Sequence, residues 1–243
     1  MNRFQKHLAL LLTAMLLLAA LPVAGLAASY KVETLKLNQW YKLQEYSSDM
    51  TIYKLRVSGE TIVSFSWKGV KTNSNYSGVR IYHDKTCNDS IGYEDIDDTS
   101  SGSSAFVLYS GTYYIQMYDG KESGKIRFST KKASAINKSN YCLSKAITVK
   151  AGKKVEIAQT RNNNYYRWYR IKLSKTQTIT FNGIRKYDFT LYDSNLNTLS
   201  CSNRDDVCVT EGMQPKGTYY LAIERSDVSY LKQKGDYIAF SWK

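Results

Sequence analysis

The chain has 243 residues and a formal net charge of +13 at pH 7. A basic surface can attract anionic cell-wall polymers, acidic glycans or phospholipid headgroups, or simply keep a protein soluble, so charge alone identifies no partner. The sequence lacks a helix-turn-helix, a zinc-finger spacing and, after residue 28, any apolar stretch long enough to span a bilayer. These absences argue against nucleic-acid binding and against a transmembrane segment beyond the first residues.

Residues 1–28 have the pattern of a secretory signal peptide. Arg3 and Lys6 supply positive charge, residues 8–21 form an apolar run, and small residues follow as far as Ala28. We expect cleavage at the end of this segment, because the apolar run is short for a membrane-spanning helix. A retained membrane anchor is the alternative. The mature protein is therefore expected to be secreted, either extracellular or at the cell surface.

Three sequence blocks recur in the same order after this leader. The paired ranges are 53–65 with 169–181, 79–84 with 189–194, and 111–117 with 217–223. Repetition at this spacing indicates two tandem copies of one folded module, because each copy is long enough to enclose its own core. We predict module 1 at residues 31–130, a polar linker at 131–145 and module 2 at 146–243.

Short segments of alternating polarity predict β-strands in both copies. Tyr169 and Ile171 share one face of such a segment, while Arg170 and Lys172 share the other, as in a half-buried strand. The segment 111–117 alternates in the same way. Turn signals separate these runs, and no segment after the leader keeps a period of 3.6 residues. Many short strands at regular spacing predict an all-β protein made of two tandem antiparallel β-sandwiches.

Several aromatic residues are candidates for contact with a ligand. Because alternate strand residues face opposite ways, Tyr114 and Tyr220 face outward if Tyr113 and Tyr219 face the cores. Exposed aromatic rings stack on sugars or pack on protein partners, whereas tyrosine also simply suits half-buried strands. The candidate ligand-binding residues are Tyr114, Tyr118, Tyr166, Trp168 and Tyr220.

An acidic segment near a predicted turn is the candidate metal site. Glu94, Asp95, Asp97 and Asp98 supply carboxylates, and calcium requires several such hard oxygen ligands. The segment has no EF-hand spacing, and a solvated acidic loop would explain the same residues. Calcium is the single cofactor that the sequence suggests.

Four cysteines follow the leader, and an even number of cysteines in an exported protein indicates disulfides. Cys201 and Cys208 flank a predicted hairpin tip, so we expect these two to pair. Cys87 with Cys142 then follows by elimination. Free buried thiols are the alternative for all four residues.

A catalytic set is not evident in the sequence. His83 is the single histidine after the leader, and its counterpart in the second copy is Asp193. A lone histidine without a repeated partner is more typical of a strand surface than of a catalytic base. We therefore expect no enzymatic activity, with a hydrolase that uses an unrecognised carboxylate site as the alternative.

Each copy resembles the bacterial pre-peptidase C-terminal domain. The residues that carry the resemblance are 168–173, 187–193, 216–223 and 235–237 in module 2, and 53–57 and 110–115 in module 1. Module 1 departs from the pattern at Gly78, which stands where module 2 has Asp188. The resemblance implies a small β-sandwich with jelly-roll-like topology, related to collagen-binding modules of collagenases. Such domains usually accompany secreted hydrolases as non-catalytic appendages, and some bind collagen or other polymers, sometimes with calcium.

The leader, the repeat, the resemblance and the basic, tyrosine-rich composition together predict a secreted, non-catalytic protein that binds an extracellular polymer, glycan or protein. The alternative is a structural component that joins copies of itself or other surface proteins through the edges of its sheets.

Overall fold

A computed structural model shows a protein built almost entirely of β-strands. In the part of the chain that it describes, the helical elements are two short 3-10 turns, Ala133–Ala135 and Leu143–Lys145. The predicted all-β class is therefore confirmed. The structure describes residues 30–45, 47, 49–70, 77–96, 100–119, 123–161, 166–184, 187–204, 207–225 and 233–243.

The strands follow the two copies seen in the sequence. The strands of the first copy are β1 Lys31–Thr34, β2 Trp40–Lys42, β3 Thr51–Val57, β4 Thr61–Lys68, β5 Ser77–Tyr82, β6 Ser90–Asp95, β7 Ser101–Leu108, β8 Gly111–Asp119 and β9 Lys125–Lys132. The strands of the second copy are β10 Ile147–Thr148, β11 Val155–Gln159, β12 Tyr166–Leu173, β13 Thr180–Asn182, β14 Phe189–Tyr192, β15 Thr198–Leu199, β16 Cys201–Arg204, β17 Val207–Thr210, β18 Gly217–Glu224 and β19 Gly235–Trp242.

Both copies build the same five-stranded sheet. Sheet 1 has the order β1-β3-β8-β5-β6, and sheet 2 has the order β10-β12-β18-β14-β15. The pairs β1/β3 and β10/β12 are parallel, and the other pairs of both sheets are antiparallel. The two orders match strand for strand, so the repeat in the sequence is also a repeat in topology.

A single nine-stranded sheet, which we call the shared sheet, forms the second layer of both copies. Its order is β16-β17-β13-β19-β7-β4-β9-β2, with β11 paired along β19. Strand β19 joins the copies by pairing Gly235 with Val107 and Asp236 with Phe106. Glycine is needed at position 235, because a Cβ atom there would lie 2.3 Å from the carbonyl oxygen of Gln159. No pattern in the sequence predicts this continuous sheet.

Each five-stranded sheet covers its own half of the shared sheet and encloses a separate hydrophobic core. Phe65 and Phe128 lie at the centre of the first core, with ring centres 5.6 Å apart, and Phe181 and Phe240 occupy the second. Directly opposite residues of an antiparallel pair share a face. Phe106 of the first core lies opposite Asp236 of β19. Asp236 and Phe240 of the second core are an even number of residues apart on β19, so their side chains share a face. Both cores therefore lie on the same side of the shared sheet.

The repeated Gly-Thr-Tyr-Tyr segments make the same contact in both copies. Tyr113 is buried and donates its hydroxyl to the carbonyl oxygen of Tyr109 at 3.1 Å. Tyr219 is also buried and donates to the carbonyl oxygen of Pro215 at 2.7 Å. Each bond satisfies a phenolic hydroxyl that would otherwise be buried without a partner. Both tyrosines face the cores, which is the condition under which Tyr114 and Tyr220 face outward.

Charged and polar contacts surround the strand pair that joins the two copies. Lys234 is 4% exposed and places its Nζ atom 2.5 Å from Glu94. The backbone N–H of Arg161 donates to the Tyr109 hydroxyl at 3.0 Å, and its guanidinium carbon lies 4.6 Å from the Tyr109 ring centre. These contacts, which include the buried side chains of Lys234 and Tyr109, connect the first copy to the second.

Part of the segment predicted as a linker, residues 131–145, packs on the outer face of the shared sheet. Ala133 is buried against Ile62 and Val107 from the first copy and Ala158 from the second. The hydrophobic cluster formed in this way covers the outer side of the sheet where the copies meet.

Candidate functional site on the second module

The outward side of sheet 2 carries a group of aromatic side chains, and β12 supplies the first of them. Tyr169 and Ile171 face the core of module 2, so Tyr166, Trp168 and Arg170 face outward. Two aromatic rings and a guanidinium therefore follow one another along the strand at alternate positions.

The register of the sheet brings two tyrosines from neighbouring strands beside this row. Arg170 lies opposite Tyr220 of β18, which lies opposite Tyr192 of β14. Trp168 lies opposite Ala222, and this small side chain leaves room for the indole to cross β18. The rings of Trp168 and Tyr192 stack with their centres 5.6 Å apart and an angle of 23° between their planes.

Two further contacts extend the group. The ring centres of Tyr166 and Trp168 are 6.2 Å apart, and the guanidinium carbon of Arg170 lies 5.7 Å from the centre of the Tyr220 ring. Tyr166 is 38% exposed, and the other members are half-buried. We call Tyr166, Trp168, Arg170, Tyr192 and Tyr220 the aromatic platform. A contiguous group of rings that contacts water on a sheet face is typical of a binding surface.

The segment between the modules fixes the backbone of the platform. The N–H of Trp168 donates to the carbonyl oxygen of Asn140 at 2.8 Å, and Nδ2 of Asn140 donates to the carbonyl oxygen of Trp168 at 2.9 Å. The guanidinium of Arg167 donates to the carbonyl oxygen of Lys138 at 2.6 Å. Asn140 is 1% exposed. Because Trp168 is held before any ligand arrives, less ordering is needed on binding.

The chemistry of the platform suits a ligand with apolar faces and polar edges. Aromatic rings offer large rigid contact areas, and the tyrosine hydroxyls and the indole N–H offer hydrogen bonds at the ring edges. Arg170 adds a planar group of N–H donors, and exposed Lys172 adds a second positive charge on the same face. The platform can therefore stack on a ligand and donate hydrogen bonds to it at the same time.

The equivalent face of sheet 1 differs from the platform. Tyr114, the counterpart of Tyr220, lies half-buried on the outward face. Tyr118 is 4% exposed, and its contact with a ligand stays a prediction. Its ring is stacked 6.5 Å from that of Tyr93 and lies 5.5 Å from the guanidinium carbon of Arg80. Alternation along a strand predicts the direction of a side chain, but it does not reveal the groups that cover it.

The acidic segment is divided between the two faces of β6. Glu94 and Asp95 are adjacent in the strand, so their side chains point to opposite sides and cannot ligate one ion together. Glu94 instead pairs with Lys234. Asp97 and Asp98 lie outside the described residues. Within the described residues, no group of three or more His, Cys, Asp or Glu side chains could hold a metal. Calcium binding by this segment stays a prediction.

All four cysteines are free thiols in this structure. Cys201 and Cys208 belong to the antiparallel pair β16/β17, and their thiols are hydrogen-bonded to each other. Burial raises the pKa of both thiols, that of Cys208 to about 12, because desolvation disfavours the thiolate. Cys87 lies between β5 and β6, and the Sγ atom of Cys142 is 3.2 Å from the Ser144 hydroxyl. The two predicted disulfides stay predictions.

His83 lies in the connection between β5 and β6. Its Nδ1 atom is 3.1 Å from a carboxylate oxygen of Asp89. The backbone N–H of His83 donates to the backbone carbonyl oxygen of Asp89 at 3.0 Å. Asp193, its counterpart in the repeat, accepts backbone hydrogen bonds from Asn195 and Asn197 at 2.8 and 2.9 Å. Both residues therefore stabilise the turns in which they lie.

Tyr192 and Asn140 belong to the site but were not among the residues predicted for it. The outward direction of Tyr192 follows from the alternation of its strand, but its contact with Trp168 depends on β14 and β12 flanking β18, which no local pattern reveals. Asn140 lies in a segment that is polar and without strand pattern, and no signal in the sequence connects it to Trp168.

Comparisons with known proteins add little to this geometry. No family model and no curated protein matches the chain. The chain is similar to the pre-peptidase C-terminal domain of collagenase from Bacillus anthracis, with 13% identity and a TM-score of 0.31 over 40% of this chain and 94% of that one. It is also similar to the CUB1-EGF-CUB2 domain of human MASP-1/3, with 8% identity and a TM-score of 0.26 over 84% of this chain and 99% of that one. TM-scores this low do not establish a shared fold, so membership of the pre-peptidase C-terminal family stays a prediction.

Proposed function

We propose that the chain is a secreted, non-catalytic binding protein whose aromatic platform binds an extracellular glycan. The observation that carries this proposal is the stacking of Trp168 on Tyr192 across β18, next to Tyr166 and Tyr220, on the outward side of a sheet. Rings that served only the core would face inward, as Tyr169 and Tyr219 do.

A glycan fits this surface better than a small charged ligand does. Sugar rings have apolar faces that stack on aromatic rings and hydroxyl edges that accept hydrogen bonds, which matches the rings and the guanidinium of Arg170. The platform spans three neighbouring strands, β12, β18 and β14, so it offers an extended surface. A polymer can use several such contacts at once, and rings that together lose contact with water can stabilise its binding.

We also propose that the chain is exported and that it is organised as two modules. Residues 1–28 act as a cleaved leader, and they lie outside the described residues. Residues 31–130 and 146–243 act as two sandwich modules, and each contains one of the two hydrophobic cores. In the described part of the chain, no helix has the length and apolar character needed to cross a membrane.

The test is to measure binding of the mature protein to soluble cellohexaose, chitohexaose and xylohexaose and to insoluble cell-wall polysaccharide, with calcium and with EDTA. Trp168→Ala is expected to weaken binding by at least about tenfold, because central aromatic anchors carry most of the energy of an interface. Tyr166→Ala is expected to weaken it less, since Tyr166 lies at the end of the row.

Tyr93→Ala is the matched control for Tyr166→Ala. Tyr93 is 41% exposed against 38% for Tyr166, but it lies on module 1. The control variant is expected to bind like the unaltered protein. If the folded protein binds no glycan, or if the two tyrosine variants lose the same affinity, the platform is not a glycan site. If glycan binding remains calcium-dependent in both variants, the acidic segment at Glu94 becomes the candidate for calcium binding.

Two alternatives remain predictions from the sequence. A structural component that assembles through its sheet edges would show a concentration-dependent mass in light scattering. A hydrolase with a carboxylate site would release product from polysaccharide or peptide substrates. The described residues offer no specific observation in favour of either function.

A further inference from the structure

A row of lysines crosses the outer face of the shared sheet in module 1. Lys42 of β2 lies opposite Lys125 of β9, which lies opposite Lys68 of β4. All three side chains are exposed. Neighbouring strands lie roughly 4.8 Å apart, so the three lysines project from adjacent strands at short intervals along the backbone.

This arrangement is costly to the fold itself, because like charges directly opposite each other on a sheet destabilise the pair. Within the described part of the chain, no carboxylate pairs with Lys68, Lys125 or Arg127. Elsewhere on the shared sheet, Lys131 has a carboxylate partner, Glu156, at 2.8 Å. Among the described residues, Lys68 and Lys125 therefore lack the carboxylate partner that Lys131 has nearby.

The next row of the same face supplies an aromatic ring and a guanidinium. Trp40 lies opposite Arg127, and the guanidinium carbon is 4.9 Å from the ring centre. The Nζ atom of Lys68 lies 4.3 Å from the same ring. Arg127 also lies opposite Ser66 of β4. A guanidinium that stacks on an indole keeps its N–H groups available at the edge, where they match the geometry of a carboxylate.

We propose that Lys42, Lys68, Lys125, Arg127 and Trp40, which we call the cationic row, bind a linear carboxylated polysaccharide. A single small anion would need one or two of these groups, whereas a polymer with a carboxylate on successive sugars engages positive charges on adjacent strands together. Arg127 suits a carboxylate by its planar pair of donors, and Trp40 offers a ring to the sugar itself. This site lies on a different module and a different sheet from the aromatic platform, so it does not depend on the proposed function.

Polygalacturonate is the probe for this proposal, with dextran as the neutral polymer and polyphosphate as the other polyanion. Binding is measured by calorimetry and by retention on immobilised polymer at rising salt. The unaltered protein is expected to bind polygalacturonate, to ignore dextran and to lose affinity as salt increases. Lys125→Gln is expected to weaken binding about fivefold, and Lys68→Gln with Lys125→Gln about twentyfold, because each lysine near an anionic surface contributes comparably.

The matched control removes the same charge from another exposed turn. Lys150 and Lys153 are exposed and lie before β11, and Lys150→Gln with Lys153→Gln is expected to keep binding within about twofold, since charge far from the ligand is screened. Lys125→Arg, which keeps the charge, is expected to retain binding. Lys125→Gln is also expected to leave the melting temperature unchanged or higher, because it relieves repulsion in the row.

Three results would overturn the proposal. The first is equal loss of affinity in the two double variants, which would assign the binding to overall charge. The second is a fall in melting temperature for Lys125→Gln, which would give the lysine a structural role. The third is tighter binding to polyphosphate than to polygalacturonate, which would assign the row to phosphate polymers. A loss of glycan binding in Trp168→Ala with unchanged polygalacturonate binding would separate this site from the platform.

Discussion

The outward faces of sheet 1 and sheet 2 have the same strand order but different surfaces. The repeat places Ile52 where module 2 has Trp168, and Met50 where module 2 has Tyr166. Ile52 and Met50 are 0% and 2% exposed, whereas Tyr166 is 38% exposed. The same stretch of a repeated framework is therefore closed in the first copy and open to solvent in the second.

The connection that leads into this row differs between the copies. In module 1, residues 43–50 join β2 to β3, and in module 2 the shorter stretch 160–165 joins β11 to β12. The longer connection returns along the end of sheet 1, where the N–H of Asp119 donates to the carbonyl oxygen of Gln44 at 2.9 Å. The side-chain amide of Gln44 bonds both backbone polar atoms of Thr51. The repeated strands preserve the core in both copies, while the first copy adds Gln44 contacts that hold its longer connection against β3 and β8.

The largest expected effect tests this contrast at one repeated position. Ile52→Ala is expected to lower the free energy of unfolding by about 2–5 kcal/mol, because it leaves a cavity at a fully buried site. Trp168→Ala is expected to cost clearly less stability, since its ring is half-buried and exposed to solvent on the platform. Urea unfolding of both variants measures the difference. Equal losses in the free energy of unfolding would mean that Ile52 and Trp168 contribute equally to stability, which would contradict the contrast between the two faces.

A smaller effect is expected to be the same in both copies. Tyr113→Phe and Tyr219→Phe each remove one hydrogen bond from a buried hydroxyl to a backbone carbonyl. Each change is expected to lower the free energy of unfolding by about 1 kcal/mol. Thermal and urea unfolding of the two single variants and of the double variant provide the measurement. A strong bias toward one copy would show that the repeated contact has diverged in importance.

The smallest effect concerns the turns that follow β5 and β14. The Thr86 hydroxyl and nearby backbone N–H groups bond to Asp84 and lower the pKa of its carboxyl to about 2. The side-chain amide and the backbone N–H of Asn197 likewise lower the pKa of Asp193. A folded-state pKa below the unfolded value means that both carboxylates stabilise the fold above about pH 4 and lose this contribution as the pH falls toward 2.

Melting temperatures between pH 5 and pH 2 check this dependence. Asp84→Asn and Asp193→Asn are each expected to flatten the acid side of the profile slightly. A profile that both variants leave unchanged would mean that other carboxylates govern acid unfolding.

Much of the framework could be predicted because it depends on local pattern. The alternation in residues 169–173 and 111–117 correctly indicated the buried and outward sides of β12 and β8. The platform was predictable only in part, since Trp168, Tyr166 and Tyr220 lie on strands with clear alternation. The contact of Trp168 with Tyr192 could not be predicted, because it depends on strand order and on a small residue at Ala222. The burial of Tyr118 could not be predicted either, because it depends on contacts with β5 and β6, which are distant in sequence from β8.

The shared sheet has a consequence for how two ligands would be held. Sheet 2 lies on the side of the shared sheet that carries both cores, and the cationic row lies on the other side. A glycan on the platform and a polyanion on the row would therefore approach the molecule from opposite directions. The strand pair β7/β19 and the buried Lys234–Glu94 contact join the two modules between these surfaces. If both proposed ligands bind, this junction would keep the two bound polymers at a constant distance from each other.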